Sequence, residues 1–421
     1  MLTTLFTAVS GMDANGTQLS VIGDNIANMN TIGFKKSRTT FGDVLSQSIT
    51  NVAGSVQVGR GVYVQEVCPI MSQGAFETTE NALDLAIDGD GFFAVSDGSG
   101  SIYYTRAGAF NVNSDGYIVN AENLRLQGYL ADDAGNITGT TGDLQLTATQ
   151  SPARSTTTAD ISVNLDASSA AQTAAFTLDG NGDGVANDPL NYNSSTTVTV
   201  YDSLGGAHQV TAYFVKTADN SWEVHSVYSD PADATLLLEA TGSPQTLTFD
   251  TSGALTATSA GSPVFDFGGG AAAGQAIAFG FADTTQYAAS FAVNMIDQDG
   301  YASGSLSSVS ISDTGVITGA FTNGQTRIIG QVALTKFIAP TELSKLGQNL
   351  YAESFASGQP IVSAPGTSGL GRVASNTLEL SNVDLASEFV DMISAQRGFQ
   401  ANSRMITTTD ELLQEIVNLK R

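Results

Sequence analysis

Few residues in this chain have the type and spacing to carry out chemistry. Asp179-Gly180-Asn181-Gly182-Asp183-Gly184 sets out the alternating oxygen donors and the turn glycine of the first half of a calcium loop. Such a loop closes with a bidentate glutamate at its twelfth position, which here is Leu190. Asp188 could stand in for it, so a calcium site and a polar turn both remain open. Asp88-Gly89-Asp90-Gly91 reads more simply as a tight turn. The two histidines, His208 and His225, fall on expected neighbouring strands and could face each other, but a pair without a third ligand is a poor metal site. Cys68 is the single cysteine, which excludes an internal disulfide, and its place before Pro69 in an apolar stretch suits packing better than reactivity. Lys35, Lys36 and Arg38 form the one local basic cluster, either a solvated loop or a partner for acidic groups of a neighbouring chain. Glycosidase-type carboxylate pairs can be drawn from 41 acidic residues, as in any acidic secreted hydrolase. No catalytic set, metal or cofactor is expected.

The composition narrows the class further. At 421 residues the chain has room for about three domains. With 16 Lys and Arg against 41 Asp and Glu, its net charge of -25 would repel a phosphate backbone, so a nucleic-acid partner is not expected. Hydrophobic residues make up 42%, enough for real cores, while charged residues make up only 14%. Gly, Ser, Thr and Asn replace them, which suits many short strands joined by turns. No apolar run approaches the ~20 residues that span a bilayer, so membrane insertion is not expected. Residues 1–32 contain no Lys or Arg, so a secretory signal is not expected either, and any export takes another route.

The charge is unevenly placed. Residues 126–326 hold 20 acids against Arg154 and Lys216, so this central block should face solvent. Residues 147–162, rich in Ser and Thr, read as a crossing linker. Hairpins are expected over 109–120, around Ser114-Asp115-Gly116, and over 196–228, with turns at Gly205-Gly206 and Ala218-Asp219-Asn220. A three-stranded meander is expected over 305–337, turning at Asp313-Thr314-Gly315 and Asn323-Gly324.

Helical periodicity is confined to the two ends. Leu2, Leu5, Val9, Met12, Gly16, Leu19, Gly23 and Ile26 follow the steps of three and four of a helix seam. Leu385, Phe389, Met392, Gln396, Phe399, Ser403, Ile406, Asp410, Leu413 and Val417 do the same. Ser381 followed by Asp384 suggests a capping-box start for a helix running to about residue 419. Ile393, Met405, Leu412, Phe6 and Ile22 lie beside these seams, so each helix has apolar surface for several neighbours. One chain supplies only two such helices, which implies polymerisation; an intramolecular helical hairpin is the alternative. Gly16, Gly23, Gly398, Asn402 and Thr407-Thr408-Thr409 each lower helicity by up to ~1 kcal/mol relative to Ala. Both ends are therefore expected to be largely disordered in the monomer and to fold on assembly.

Four separated motifs carry a resemblance. Asp24-Asn25-Ile26-Ala27-Asn28-Met29-Asn30-Thr31-Ile32-Gly33-Phe34-Lys35 resembles the signature that follows the N-terminal helix of bacterial flagellar rod and hook proteins. Ile87-Asp88-Gly89-Asp90-Gly91-Phe92-Phe93 and Thr105-Arg106-Ala107-Gly108-Ala109-Phe110 resemble further stretches of that family. The last runs from Ser381-Asn382-Val383-Asp384-Leu385 through Ala395-Gln396-Arg397-Gly398-Phe399-Gln400-Ala401-Asn402. Length and the acidic insertion resemble the hook group more than the shorter distal rod subunits.

The resemblance implies a mostly β, multidomain chain of sandwich- or barrel-like domains inserted one within another, with the terminal helices paired as a coiled-coil-like inner domain. The expected division is 1–27 with 382–421 as the helical inner-tube domain, 28–72 and 376–381 as extended linker, 73–150 with 303–375 as inner β domain, and 151–302 as outer acidic β domain. Paired chain crossings are expected near Ser151 with Gly304 and near Gly33 with Thr377. The implied function is that of a structural subunit of a hollow, bendable tube, a universal joint between rotary motor and filament outside the cell. The implied partners are further copies, rod, hook-cap and hook-filament junction proteins, and the type III export apparatus. A distal rod subunit, and more remotely a β-rich adhesin or glycoside hydrolase, are the alternatives.

Overall fold

The computed structural model describes every residue except 1, 45–46, 52–53, 133–134, 147–149, 260 and 419–421, and describes side chains except for these and 2–3, 47–51, 54–58 and 416–418. Contacts divide the chain into two compact units, one of Met1–Ala148, Ser308–Ala320 and Thr326–Arg421, the other of Thr149–Ser307 with Phe321–Gln325. Among the described residues no helix is long and apolar enough to cross a membrane.

In the first unit, helix α1 spans Leu2–Ala27 and helix α2 spans Leu385–Asn418, and the two pack against each other. Residues 28–72 are not the extended linker expected. Ser37–Asp43 pairs antiparallel with Val62–Pro69, from Ser37 opposite Pro69 to Asp43 opposite Val62, and Gln47–Asn51 pairs with Gly54–Val58 beyond them. Val62 and Val64, β-branched and two residues apart, support a strand, and the strand finds a partner within the same segment. This hairpin lies on α1, where the Val62 amide donates to the Ser10 hydroxyl at 3.3 Å. The second expected linker is also paired, since Thr377–Glu379 lies antiparallel to Phe76–Thr78.

The β part of this unit is organised on Phe92–Ser96, buried along its whole length. Phe93 and Val95 face one apolar cluster with Leu85, Ile87, Phe110 and Leu126, while Phe92 and Ala94 face another with Tyr104, Phe337 and Tyr351. A strand with apolar side chains on both faces belongs in the middle of a layered domain. The expected hairpin appears as Asn111–Val112 paired with Ile118–Val119. The expected meander appears as Gly304–Ile311, Val316–Phe321 and Thr326–Val332, with Gly315 and Gly324 at positive φ in its turns; its residues 304–307 and 321–325 belong to the second unit. Gly108 sits where no side chain fits: a Cβ there would lie 1.7 Å from the Leu85 carbonyl oxygen. Gly108→Ala is expected to destabilise this unit by more than about 2 kcal/mol, because the carbonyl it would strike is backbone and cannot turn aside, as urea unfolding followed by circular dichroism would show.

The second unit packs two sheets over one core. Thr158–Asp166 pairs antiparallel with Ala292–Gln298 and in parallel with Ala278–Gly280 and Thr285–Tyr287. The other sheet runs Ser194–Tyr201, Ala207–Ala218, Ser221–Ser229, Gln245–Phe249, Leu255–Thr258. Ile161, Leu165, Phe214, Trp222, Phe265 and Phe279 fill the space between. Chain entry and exit are tied together as Gln150 opposite Ser305 and Ser151 opposite Gly304.

Candidate functional site

The motif residues of the first unit converge on one buried carboxylate. Glu379, fully buried, accepts from Lys35 Nζ at 2.5 Å and the Gly74 amide at 2.9 Å through Oε1, and from Arg106 Nη1 at 3.2 Å through Oε2. Lys35 Nζ also donates to the Ser72 carbonyl, and Arg106 to the carbonyls of Ile87 and Gly89. The Gly33 amide donates to the Glu379 carbonyl at 2.7 Å, two residues from the Thr377 crossing expected. Gly33 has φ +69, and a Cβ on it would lie 2.5 Å from the Ala107 amide, so two motifs touch backbone to backbone there. Burial pulls the Lys35 ammonium below its ordinary value, against the attraction of Glu379. Two cations on one anion, away from water, make a cluster whose members depend strongly on each other.

A second cluster joins the same segments to the helices. Asn25, 1% exposed, accepts from the Ser37 amide and donates to the Ser37 carbonyl, both at 2.9 Å, and donates to Glu388 Oε2 at 3.1 Å. Lys36 Nζ donates to Glu388 Oε1 at 3.3 Å, and its amide donates to Asn382 Oδ1. Lys35 and Lys36 are thus neither solvated nor held for another chain; both find carboxylates in their own chain, and only Arg38 of that cluster is exposed. Asn28 bonds back to Asp24, Thr31 donates to Asn28, Phe34 is buried, and Ala27 ends α1 exposed. The start of α2 also differs from expectation. Asp384, not Ser381, is the cap: its Oδ1 accepts from the Ser387 amide at 2.9 Å. Ser381 accepts only from Val383, at 3.4 Å, so the helix begins three residues later.

The helix pair closes on small residues. Ala8, Gly11, Ala14, Ile22 and Asn25 of α1 are buried, as are Glu388, Ala395 and Thr409 of α2. A Cβ on Gly11 would lie 2.6 Å from Asn402 Nδ2, and one on Gly398 would lie 3.1 Å from the Asn15 amide group, so each helix offers a glycine to an asparagine of the other. The seam expected from large apolar residues is therefore displaced by one position: Ala8 replaces Val9, Gly11 replaces Met12, Asn25 replaces Ile26, Glu388 replaces Phe389, Ala395 replaces Gln396 and Thr409 replaces Asp410. Leu385, Met392 and Ile406 keep their places, half-buried. Close approach selects small side chains at the contact, and the large ones are turned aside. Phe6 is 65% exposed, Val390 66%, Ile393 50% and Phe389 49%, while Val9, Phe399, Met405, Leu412 and Leu413 are also exposed. Leu5, Met12, Leu19 and Ile26 are half-covered, and Gln396 and Arg397 are exposed. The side chains of Leu2 and Val417 lie outside the described residues.

The other candidates resolve into structural roles. Asp179 accepts from the amides of Gly182, Asp183 and Gly184, and Asp183 accepts from Val185, so these oxygens hold a turn. Among the described residues no group of His, Cys, Asp and Glu has a metal-holding arrangement. His208 and His225 do not face each other: His225 lies opposite Tyr213 and His208 opposite Val200. Each instead bonds a carboxylate and stacks on a phenylalanine, His208 with Asp202 and Phe267, His225 with Glu239 and Phe176. Cys68 Sγ sits 3.7 Å from the Arg38 carbonyl.

Several of these carboxylates tie the second unit to neutral pH. The bond to His225 chiefly holds the Glu239 carboxyl below the usual range. At Asp299 burial pushes the carboxyl up, but the Thr157 hydroxyl, the amides of Thr157 and Thr158, and Arg154 together bring it down. A carboxyl depressed by folding contributes stability above its unfolded pKa and loses it as pH falls through the folded value. Trp222 is the chain's one tryptophan and is buried in this unit's core. Its fluorescence should report a lower melting temperature for the second unit as pH drops from about 6 to about 3.

The comparisons with known proteins follow the same layout. Residues 5–35 match the family described as Flagella basal body rod protein, 86–182 the Flagellar hook protein FlgE/F/G D1 domain, 164–301 the Flagellar basal body protein FlaE D2 domain, and 374–419 the Flagellar basal body rod FlgEFG protein C-terminal family. The chain is 36% identical over 460 residues to the flagellar hook protein FlgE of Borreliella burgdorferi, covering 100% of both chains. It is 35% identical over 426 residues to that of Salmonella typhimurium, covering 98% of this chain and 99% of the relative. The crystal structure of the Helicobacter pylori hook protein FlgE2 shares the fold at a TM-score of 0.51 and 17% identity, over 72% of this chain and 100% of that one. With end-to-end relatives above 30% identity and four family matches in the order of its own motifs, the chain belongs to the flagellar hook protein family.

Proposed function

We propose that this chain is a structural subunit of the bacterial flagellar hook, polymerising into a hollow, bendable tube that passes motor torque to the filament. The observation that carries this reading is the helix pair, which closes on small residues and leaves Phe6, Phe389, Val390 and Ile393 uncovered. An apolar surface of this kind marks an association site. Other copies cover it, and the terminal helices then line the tube. The buried Lys35–Glu379–Arg106 and Asn25–Glu388–Lys36 clusters anchor both helices to the β part of the same unit, so load on the tube wall reaches the outer strands through hydrogen bonds and not through a slack linker. Bending is accommodated by sliding between β surfaces of neighbouring copies while the helices hold the tube closed. The strong negative charge keeps tubes from bundling.

The tube's end partners are rod, hook-cap and hook-filament junction proteins, and subunits reach it unfolded through the type III export apparatus. Helices weakened by Gly16, Gly23 and Gly398, together with the lack of disulfides, suit that passage. Electron microscopy of the purified chain under polymerising conditions tests the reading. Curved hollow tubes are the expected result, and monodisperse globules under every condition would contradict it.

A further inference from the structure

We propose that the face of α2 turned away from α1 packs in parallel against α2 of a second copy shifted along the helix axis, with Arg397 and Arg404 of one copy set against Glu411 and Glu415 of the other. At 3.6 residues per turn, Val390, Arg397, Arg404, Glu411 and Glu415 fall within an arc of about 60°. That arc lies opposite Ala395 and Ile406 on the covered side, and all five residues are exposed. None of the four charged side chains forms an ion pair or hydrogen bond among the described residues, so the intramolecular fold makes no use of them. Beside them Val390 and Ile393 supply apolar surface.

The order of the charges fixes the register. Both bases precede both acids, so an unshifted parallel neighbour would set arginine against arginine and glutamate against glutamate. A shift of 11 to 14 residues, roughly 17–21 Å at 1.5 Å per residue, sets bases against acids instead. An antiparallel pairing would also match the charges, but it is self-complementary and closes as a two-fold dimer, whereas repeated parallel shifts generate an open helical array. The occupant of this face is therefore a second copy in the head-to-tail arrangement that a growing tube requires. This inference rests on the hook-subunit reading and adds the register of one contact within it.

The test is a charge swap in the full-length chain. Arg397→Glu with Arg404→Glu leaves α2 with one sign of charge along this face, and Glu411→Arg with Glu415→Arg leaves it with the other. All four changes exchange good helix formers, so the isolated subunit should keep its circular dichroism and its Trp222 melting profile. At low salt each double variant alone should yield at least about tenfold less sedimentable tube than the unaltered chain. Mixing the two, or combining all four substitutions in one chain, should restore tubes. The milder pair Arg397→Gln with Arg404→Gln should weaken assembly and remove its salt dependence. Assembly of each double variant as readily as the unaltered chain would overturn the proposal, as would failure of both the mixture and the fourfold variant, or restoration as discrete dimers. If the unaltered chain forms no tubes, the hook-subunit reading fails first and this contact fails with it.

Discussion

Glu379→Gln should lower the stability of the first unit by about 3–5 kcal/mol, the usual cost of removing one partner from a buried ion pair. Lys35 is fully buried and Arg106 nearly so, and Glu379 is the carboxylate that both of them touch. Glutamine keeps the shape and can still accept from the Gly74 amide, so the loss reports charge and not a cavity. Lys35→Met added to Glu379→Gln should recover part of it, because one of the stranded cations is then gone. The contrasting case is Arg372 with Asp313, paired at 3.0 Å but with side chains 70% and 61% exposed. Asp313→Asn should cost under about 1 kcal/mol. Urea unfolding followed by circular dichroism would measure these losses. Trp222 fluorescence, which sees the second unit, should not move. A loss below about 1 kcal/mol for Glu379→Gln would mean that the two cations reach solvent or other partners.

Phe389→Asp with Ile393→Asp should abolish tube formation while leaving the subunit folded. Both side chains are about half exposed on α2, so neither change opens a hole in the subunit. Covering the exposed half of each in a neighbour is worth about 0.7–1.5 kcal/mol, and a buried unpaired carboxylate adds a further cost. At 1.4 kcal/mol for each factor of ten, the concentration needed for assembly should rise by about a hundredfold or more. Sedimentation and electron microscopy would register the loss. Normal tubes from this variant would show that the exposed stripe is not an assembly surface.

How much of this was legible in the sequence depends on the range of the interaction that fixes each feature. Turn chemistry is local, so the hairpin ending at Ile118–Val119, the meander over 304–332 and the pairing of Ser151 with Gly304 stand where glycines, asparagines and composition shifts placed them. The helices are also where periodicity puts them, within three residues. The seam between them is not, because a hydrophobic pattern marks surface that must be covered and does not say by which chain. Gly398 looked like a weak point in a helix and proved, together with Gly11, to be a point of close approach. Glu379 and Glu388 carried no signal of their own, since a lone acid on a short strand or a first helical turn looks like a solvated one until Lys35, Arg106 and Lys36 arrive from more than 200 residues away. The hairpin over 37–69 was missed because its partner strand lay inside the same segment, beyond a polar insertion.

The central claim is that the large apolar side chains of α1 and α2 are covered by other copies and not by their own chain. Hydrogen exchange read by mass spectrometry, on the same protein before and after assembly, tests it most directly. In the monomer the amides of α1 and α2, covered on one face only, should exchange faster than those of the buried strand Phe92–Ser96, and in tubes both helices should become protected to a similar degree. Helices already as protected in the monomer as in the tube would contradict the account.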